Sequence, residues 1–233
     1  MEAKKQRRQA NTERTRVRRI PDRGHYDRAA IDPILDEALI GHVGFSADSY
    51  VTVIPTAIWR VEDRLFIHGS SASRMIRGLS AGAEACITVT LMDGLVMARS
   101  GFHHSMNYRS VVVFGKATVI EEAEEKEKIL FAFMEKIAPG RWDEVRPPNQ
   151  KELRATAVLG FDLTEASAKI RTGPPIDDEE DYALPVWAGV VPLCLTSGDP
   201  VPDPRMTSGA GLPSYLSGYR PDLAAQKASI RSE

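Results

Sequence analysis

Ile67-His68-Gly69-Ser70-Ser71-Ala72-Ser73-Arg74 and Phe102-His103-His104-Ser105-Met106-Asn107-Tyr108-Arg109-Ser110, both within the stretch Val51–Gly115, decide how this chain reads. Each sets small hydroxyl side chains and an arginine at the edge of an apolar run. The spacing of Met75, Ile76 and Leu79 predicts a helix over 70–80 with Ser70 or Ser71 as its cap. A helix that opens there leaves backbone N–H groups unpaired and outward, and Ser70, Ser71, Ser73 and Arg74 beside them would complete an anion site. A serine-capped helix with a surface arginine is the plainer alternative. Gly69 permits a close backbone approach, and His68 before it is either an acid–base group or a histidine satisfied by its neighbours.

In the second motif, His103 and His104 cannot both face one site on an extended backbone, because side chains alternate. With no third ligand nearby, no metal site is expected. Asn107, Tyr108, Arg109 and Ser110 stand immediately before the apolar Val111-Val112-Val113-Phe114. A polar cluster so close to a core needs partners, within the chain, across a subunit interface or on a ligand.

Outward from these motifs the pattern is mostly strands. His42–Ala47 and Tyr50–Trp59 are rich in β-branched and aromatic residues, with Asp48-Ser49 as the turn between them. Pro55 cannot donate to a ladder, so the second run belongs at an edge, a bulge or an open seam where a flat heterocycle can lie. Glu62-Asp63 reads as a turn before a strand at 64–68. Glu84–Leu91 and Leu95–Ser100 flank Met92-Asp93-Gly94, a hairpin signal, and further strands fall at 110–120 and at 155–163, the last of the barrel, which is followed by Ser167–Arg171. Two more helices punctuate them. Asp32-Pro33 reads as a cap and first position for 33–40, ended by Gly41, and Glu121–Ile137 has an acidic first turn and one apolar stripe. Residues 141–152 read as a polar connector. The fold class expected is mainly β: a closed or split β-barrel with flanking helices.

Three regions follow: a basic N-terminal arm at 1–23, the barrel domain at 24–171, and an irregular proline-rich extension at 172–233 that wraps the barrel, anchored by Trp187 and Val190-Val191. The arm holds nine basic residues but is interrupted by acids, which suits a solvated tail that packs near Val17–Ile20 better than a nucleic-acid arm or a transit peptide. A net charge of −2 over 233 residues likewise argues against nucleic acid as the main partner. No apolar run approaches the roughly 20 residues that span a bilayer, and no secretory signal is expected. Two cysteines, Cys86 and Cys194, make neither a disulfide framework nor a zinc pattern, so a reducing cytoplasm is the expected location. There is no Gly-x-Gly-x-x-Gly, no Gly-x-Ser-x-Gly elbow and no phosphate-loop lysine motif.

Read together, Val53-Ile54-Pro55-Thr56, Leu65–Ser70 with Ser73-Arg74, Phe102–Ser110, Gly140-Arg141-Trp142 and Ala183–Gly189 resemble the pyridoxamine 5′-phosphate oxidase-like flavin-binding proteins, in the branch of the 5-nitroimidazole-resistance reductases. The resemblance runs from about Thr15 to Leu193. It implies an FMN-binding split barrel, usually a homodimer, with the flavin phosphate near Ser73 and Arg74 and the ring system against Val53, Ile54, Pro55 and Thr56. His68, Gly69 and Ser70 would lie beside the cofactor, His68 as the catalytic residue. Asn107, Tyr108, Arg109 and Ser110 would complete the site. FAD or a deazaflavin are the other cofactors to consider. The arginine-rich C-terminal substrate motif of true pyridoxamine phosphate oxidases has no counterpart in Lys227–Glu233, so a different small-molecule substrate is expected. An FMN-dependent oxidoreductase is the first reading. Its rivals are a non-enzymatic flavin-binding module, a haem-binding module using His103 or His104, and a structural or DNA-linked protein using the basic arm.

Overall fold

The computed structural model describes residues 12–47, 50–207, 209–217 and 219. Among the described residues eleven strands lie in two antiparallel sheets. The larger holds β1 (Gly24–His25), β2 (Ile40–Ala47), β3 (Tyr50–Ala57), β6 (Glu84–Met97), β7 (Ser105–Lys116) and β10 (Ala166–Arg171) in the order β1-β10-β7-β6-β2-β3, with β11 (Gly189–Pro192) also on β6. The smaller has the order β4-β5-β9-β8, from β4 (Trp59–Val61), β5 (Arg64–Ser70), β8 (Thr118–Val119) and β9 (Thr156–Asp162). The helices are α1 (Arg28–Glu37), α2 (Arg74–Ser80), α3 (Ala123–Ile137) and α4 (Gln150–Ala155).

Side-chain alternation divides the interior in two. Val43, Ile87, Val111 and Val113 of the larger sheet meet Leu65, Ile67, Leu159 and Phe161 of the smaller one, with Ile31, Ile34 and Leu35 of α1 packed among them. On its other face the smaller sheet turns Trp59, Phe66 and Val158 toward Ile129 and Phe133 of α3. The Trp59 indole N–H donates to the Ile129 carbonyl at 2.9 Å and fixes that contact. The strand expected over 50–59 therefore changes sheets at its end: Ala57 pairs with Ile40, whereas Trp59 pairs with Phe66. Pro55 falls on β3, which closes one edge of the larger sheet, as its missing donor requires.

Several boundaries differ from the sequence reading. Helix α1 starts earlier, because Asp27 is the cap and accepts from the Ala30 N–H at 2.9 Å. Asp32 instead pairs with Arg28 one turn back, and Pro33 sits inside the helix. The N–H that Pro33 lacks would have faced the carbonyl of Ala29, and both residues lie on the exposed side where water reaches it. Gly41 does not end the helix. It lies in β2, where a Cβ would come 2.8 Å from Ile58 Cγ2.

Asp93-Gly94 is no hairpin turn but an irregularity inside the 14-residue β6, and the chain reverses over 98–104 instead. Gly94 is needed because β11 crosses so close that a Cβ would meet Val190 Cγ1 at 2.9 Å. The turn expected at Asp48-Ser49 lies outside the described residues. The 141–152 connector contains α4, opened by Asn149 and Glu152, each of which bonds the other's backbone N–H.

The described part of the N-terminal arm is tied down. Thr15 is buried, Arg14 bonds Glu84 and Glu165, and the Val17 N–H donates to the Tyr26 hydroxyl at 2.8 Å. Lys4, Lys5, Arg7 and Arg8 lie outside the described residues. In the C-terminal extension, Val190-Val191 joins the sheet as β11, whereas Trp187 is 68% exposed and lies against Gly189 at the start of that strand. The anchor is Asp177, whose enclosed carboxylate accepts from the Arg99 backbone N–H at 2.9 Å and from its guanidinium at 3.1 Å.

Candidate functional site

Helix α2 is short and strongly oriented. Ser73, not Ser70 or Ser71, caps it and accepts from the Ile76 N–H at 3.2 Å. Met75, Ile76 and Leu79 are buried, so Arg74 and Arg77, three residues apart, are both carried on the exposed side. Neither has a carboxylate partner among the described residues, whereas Arg14, Arg28, Arg60, Arg99, Arg109 and Arg146 each do. The two arginines border a groove of about 710 Å³ together with Ser46 of β2, Gly78 and the small residues Ala81, Gly82 and Ala83. That volume is within the range of small-molecule sites. Two guanidinium groups and a hydroxyl among small residues have the chemistry that suits a charged oxyanion. Val51, directly paired with Ser46, is 84% exposed, so the groove opens beside an apolar strand edge.

His68 lies elsewhere. On β5 it alternates with Ile67 and therefore points away from the central core toward α3. Its ring centroid is 5.5 Å from that of Trp59 and 4.9 Å from that of Phe133. Its Nδ1 is buried with no hydrogen-bond partner among the described residues. Burial pushes its pKa below the ordinary imidazole value, so the ring is neutral at pH 7. A neutral imidazole in an aromatic cage is a poor proton donor at pH 7.

The 107–110 segment lies within β7, which begins at Ser105 rather than at 110, and most of its polar groups are paired within the chain. Arg109 lies between Glu37 at 2.5 Å and Asp93 at 2.8 Å, and bonds from the two carboxylates raise its pKa. Asn107 donates to the Gly173 carbonyl at 3.1 Å and accepts from Arg171, while the Ser110 hydroxyl donates to the Lys169 carbonyl at 3.1 Å. Tyr108 pairs with Met92 and Arg171 across the ladders. β7 is three strands from β3, about 14 Å at the usual spacing, so 107–110 and 53–56 do not converge within one chain.

Of the residues singled out in the sequence, Arg74 alone borders the groove. Ser73 serves as helix cap, Ser70 accepts from the Ala72 N–H, and Gly69 gives Ile76 room to pack. Ile54 and Thr56 alternate with Val53 and Pro55, so Ile54 packs on the core while Val53 and Pro55 face out. Ser46 and Arg77 were not singled out. Arg77 carried a signal, since it repeats Arg74 at helical spacing. Ser46 carried none. His103 is 3.3 Å from Asp178, and His104 Nδ1 is 2.8 Å from the Ser100 carbonyl, so both rings are engaged in the 98–104 turn. Among the described residues no group of three or more His, Cys, Asp or Glu could hold a metal ion, and no helix is long and apolar enough to cross a membrane.

Two antiparallel sheets packed face to face, with flanking helices, place the chain in the split-barrel class of flavin-binding folds. The chain belongs to the pyridoxamine 5′-phosphate oxidase family, whose model matches residues 27–170. It is similar to the flavocytochrome Anf3 from Azotobacter vinelandii, with 42% identity over 91% of this chain and 99% of that one and a TM-score of 0.86. It is also similar to an FAD and heme binding protein from Mycobacterium smegmatis, with 37% identity, 84% and 96% coverage and a TM-score of 0.80. A candidate 5-nitroimidazole antibiotic resistance protein from Bacteroides thetaiotaomicron shares the fold at 22% identity, 63% and 86% coverage and a TM-score of 0.52. No curated protein sequence matches the chain.

Proposed function

We propose that this chain is a flavin-dependent redox protein that acts as a homodimer on a small molecule, with FAD rather than FMN as its flavin. The observation that carries the reading is the pair of uncompensated guanidinium groups, Arg74 and Arg77, facing Ser46 across the groove. Two guanidinium groups match the two negative charges of a bridging diphosphate. Of the two similar proteins, the one from Mycobacterium smegmatis is named as binding FAD and heme, and the other is named a flavocytochrome. A bound flavin supplies hydride or single-electron transfer. The chain's own part is to neutralise the diphosphate at Arg74 and Arg77, to hold it against the hydroxyl of Ser46, and to offer the open edge of β3 at Val53–Thr56 to the ring system.

A second cofactor is favoured by one observation, the unpartnered Nδ1 of His68. A haem ligated there would account for a buried polar atom that otherwise lowers stability. In this reading His68 holds a metal instead of delivering a proton, and His103 and His104 stay structural.

The test is an absorption spectrum of the purified protein with mass spectrometry of the released cofactor. FAD and a Soret band are expected. Arg74→Ala with Arg77→Ala should weaken FAD binding at least a hundredfold and keep the Soret band, whereas His68→Ala should do the reverse. Unchanged FAD affinity in the double variant would overturn the groove assignment, and an unchanged Soret band in His68→Ala would overturn the haem assignment.

A further inference from the structure

The corner where the N-terminal arm enters the larger sheet gathers three unfavourable features within a few residues. The first is a buried charge. Arg171, the last residue of β10, is only 6% exposed, and no other arginine among the described residues is as enclosed. Its partners are neutral: it donates to the side-chain oxygen of Asn107 and, at 3.5 Å, to the Pro174 carbonyl. Among the described residues no carboxylate pairs with it. A buried charge is costly unless it is paired.

The second feature is a like charge. Burial first, and then the nearby Arg23, press the pKa of Arg171 below the ordinary guanidinium value, with Tyr108 acting in the opposite sense. Arg23 is half-buried and likewise makes no ion pair among the described residues. Asp22, the adjacent acid, is exposed and is no partner to either arginine. The third feature is backbone strain. Ile20 is β-branched yet adopts φ 55° and ψ 69°, a left-handed conformation that such residues rarely take. The Arg23 N–H donates to the Ile20 carbonyl at 3.1 Å, and Gly24 then pairs with Lys169, so this strained corner is what seats Arg23 near the end of β10.

Uncompensated charge and strained backbone seldom coincide unless a function uses both. Tyr108 stands directly opposite Arg171 in the ladder, which puts the two side chains on one face of the sheet. Lys169, two residues before Arg171, belongs to the same face and has no ion pair among the described residues. Two guanidinium groups, a phenol and an ammonium match a dianion with several acceptor oxygens. We propose that Arg171, Arg23 and Tyr108 bind the phosphate of a small molecule, free or esterified, at this corner. β10 is three strands from β2, which carries Ser46, about 14 Å at the usual spacing. The site is therefore separate from the groove of Arg74 and Arg77, and it does not rest on the flavin reading.

Thermal melting of the full chain at pH 7, in chloride, acetate or inorganic phosphate at matched ionic strength, tests the proposal. Arg74→Ala and Arg77→Ala are present in every sample, so that the groove contributes nothing. Phosphate should raise the melting temperature saturably and acetate should not. Arg23→Gln should weaken the phosphate response at least tenfold, yet melt higher than its parent in chloride because the like charge is gone. Tyr108→Phe, which deletes one hydroxyl, should weaken phosphate severalfold. Tighter binding of phenyl phosphate than of phosphate would support an esterified ligand, and the reverse order free phosphate. No saturable response, an equal response in Arg23→Gln, acetate as effective as phosphate, or an Arg23→Gln chain that melts lower in chloride would each overturn the site.

Discussion

Replacing Lys136 by methionine should destabilise the protein by about 2 kcal/mol, a figure that follows from two opposing effects. Lys136 is buried on α3, and its ammonium donates to three carbonyl oxygens, Leu35 at 2.9 Å, Ala38, and Ile58 at 3.0 Å. Two of these belong to the end of α1 and the third to the point where the chain passes from β3 to β4, so one side chain ties three elements together. Burial pushes its pKa down to about 8, which makes the charged form about 3 kcal/mol less favourable than in water. Methionine removes that penalty but leaves three buried acceptors unpaired at about 1–3 kcal/mol each, and the second effect wins. Chemical denaturation of the apoprotein at pH 7 should therefore show a lower midpoint, and thermal melting a fall of about 4–8 °C.

The pH dependence has a definite sign. The folded lysine releases its proton near pH 8 and the unfolded one near 10.5, so between these values the unfolded chain binds more protons. Wild-type stability relative to Lys136→Met should thus grow as pH rises from 8 to 10. A variant as stable as the wild type at pH 7 would refute the role of the three carbonyl bonds.

Three further outcomes are expected. His68→Leu removes an unpartnered buried nitrogen and should raise apoprotein stability by about 1 kcal/mol while abolishing any Soret band, as read by denaturation and absorption. Because burial lowers the folded pKa of His68, wild-type stability should fall as pH drops below about 6.5, and the leucine variant should lack that part of the fall, in parallel melts from pH 7.5 to 5. Gly41→Val places a Cβ against Ile58 and should cost about 3 kcal/mol in a denaturation midpoint. Arg109→Met leaves Glu37 and Asp93 facing each other; these groups are about 30% exposed, so solvent limits the loss to about 2 kcal/mol, largest at low salt.

The fold was legible wherever local chemistry acts alone. Pro55 announced an edge, the stripe of α3 announced its buried face, and apolar alternation announced most strands. What escaped depends on residues distant in sequence. Asp93-Gly94 has the chemistry of a turn, but β11, nearly a hundred residues later, needs the glycine for its approach and Arg109 takes the aspartate. Arg109 read as a ligand group because Glu37 lies 72 residues away, and only the fold reveals that pairing. In the groove, Arg74 was found from its motif and Arg77 could have been found by extending the helical spacing by one turn. Ser46 could not, since its place opposite the arginines is set by how α2 packs on β2. The Asn149–Glu152 box at the start of α4 was readable, and two neighbouring prolines masked it.

The edge strand β3 has one more consequence. Among the described residues it pairs only with β2, so one side of Tyr50–Ala57 presents bare peptide groups beneath exposed valines, a template for addition of a foreign strand. Pro55 interrupts that row but does not remove it. A newly made chain is therefore sticky before it is finished. Any condition that leaves this rim uncovered should therefore favour association through it, whatever the strength of the core.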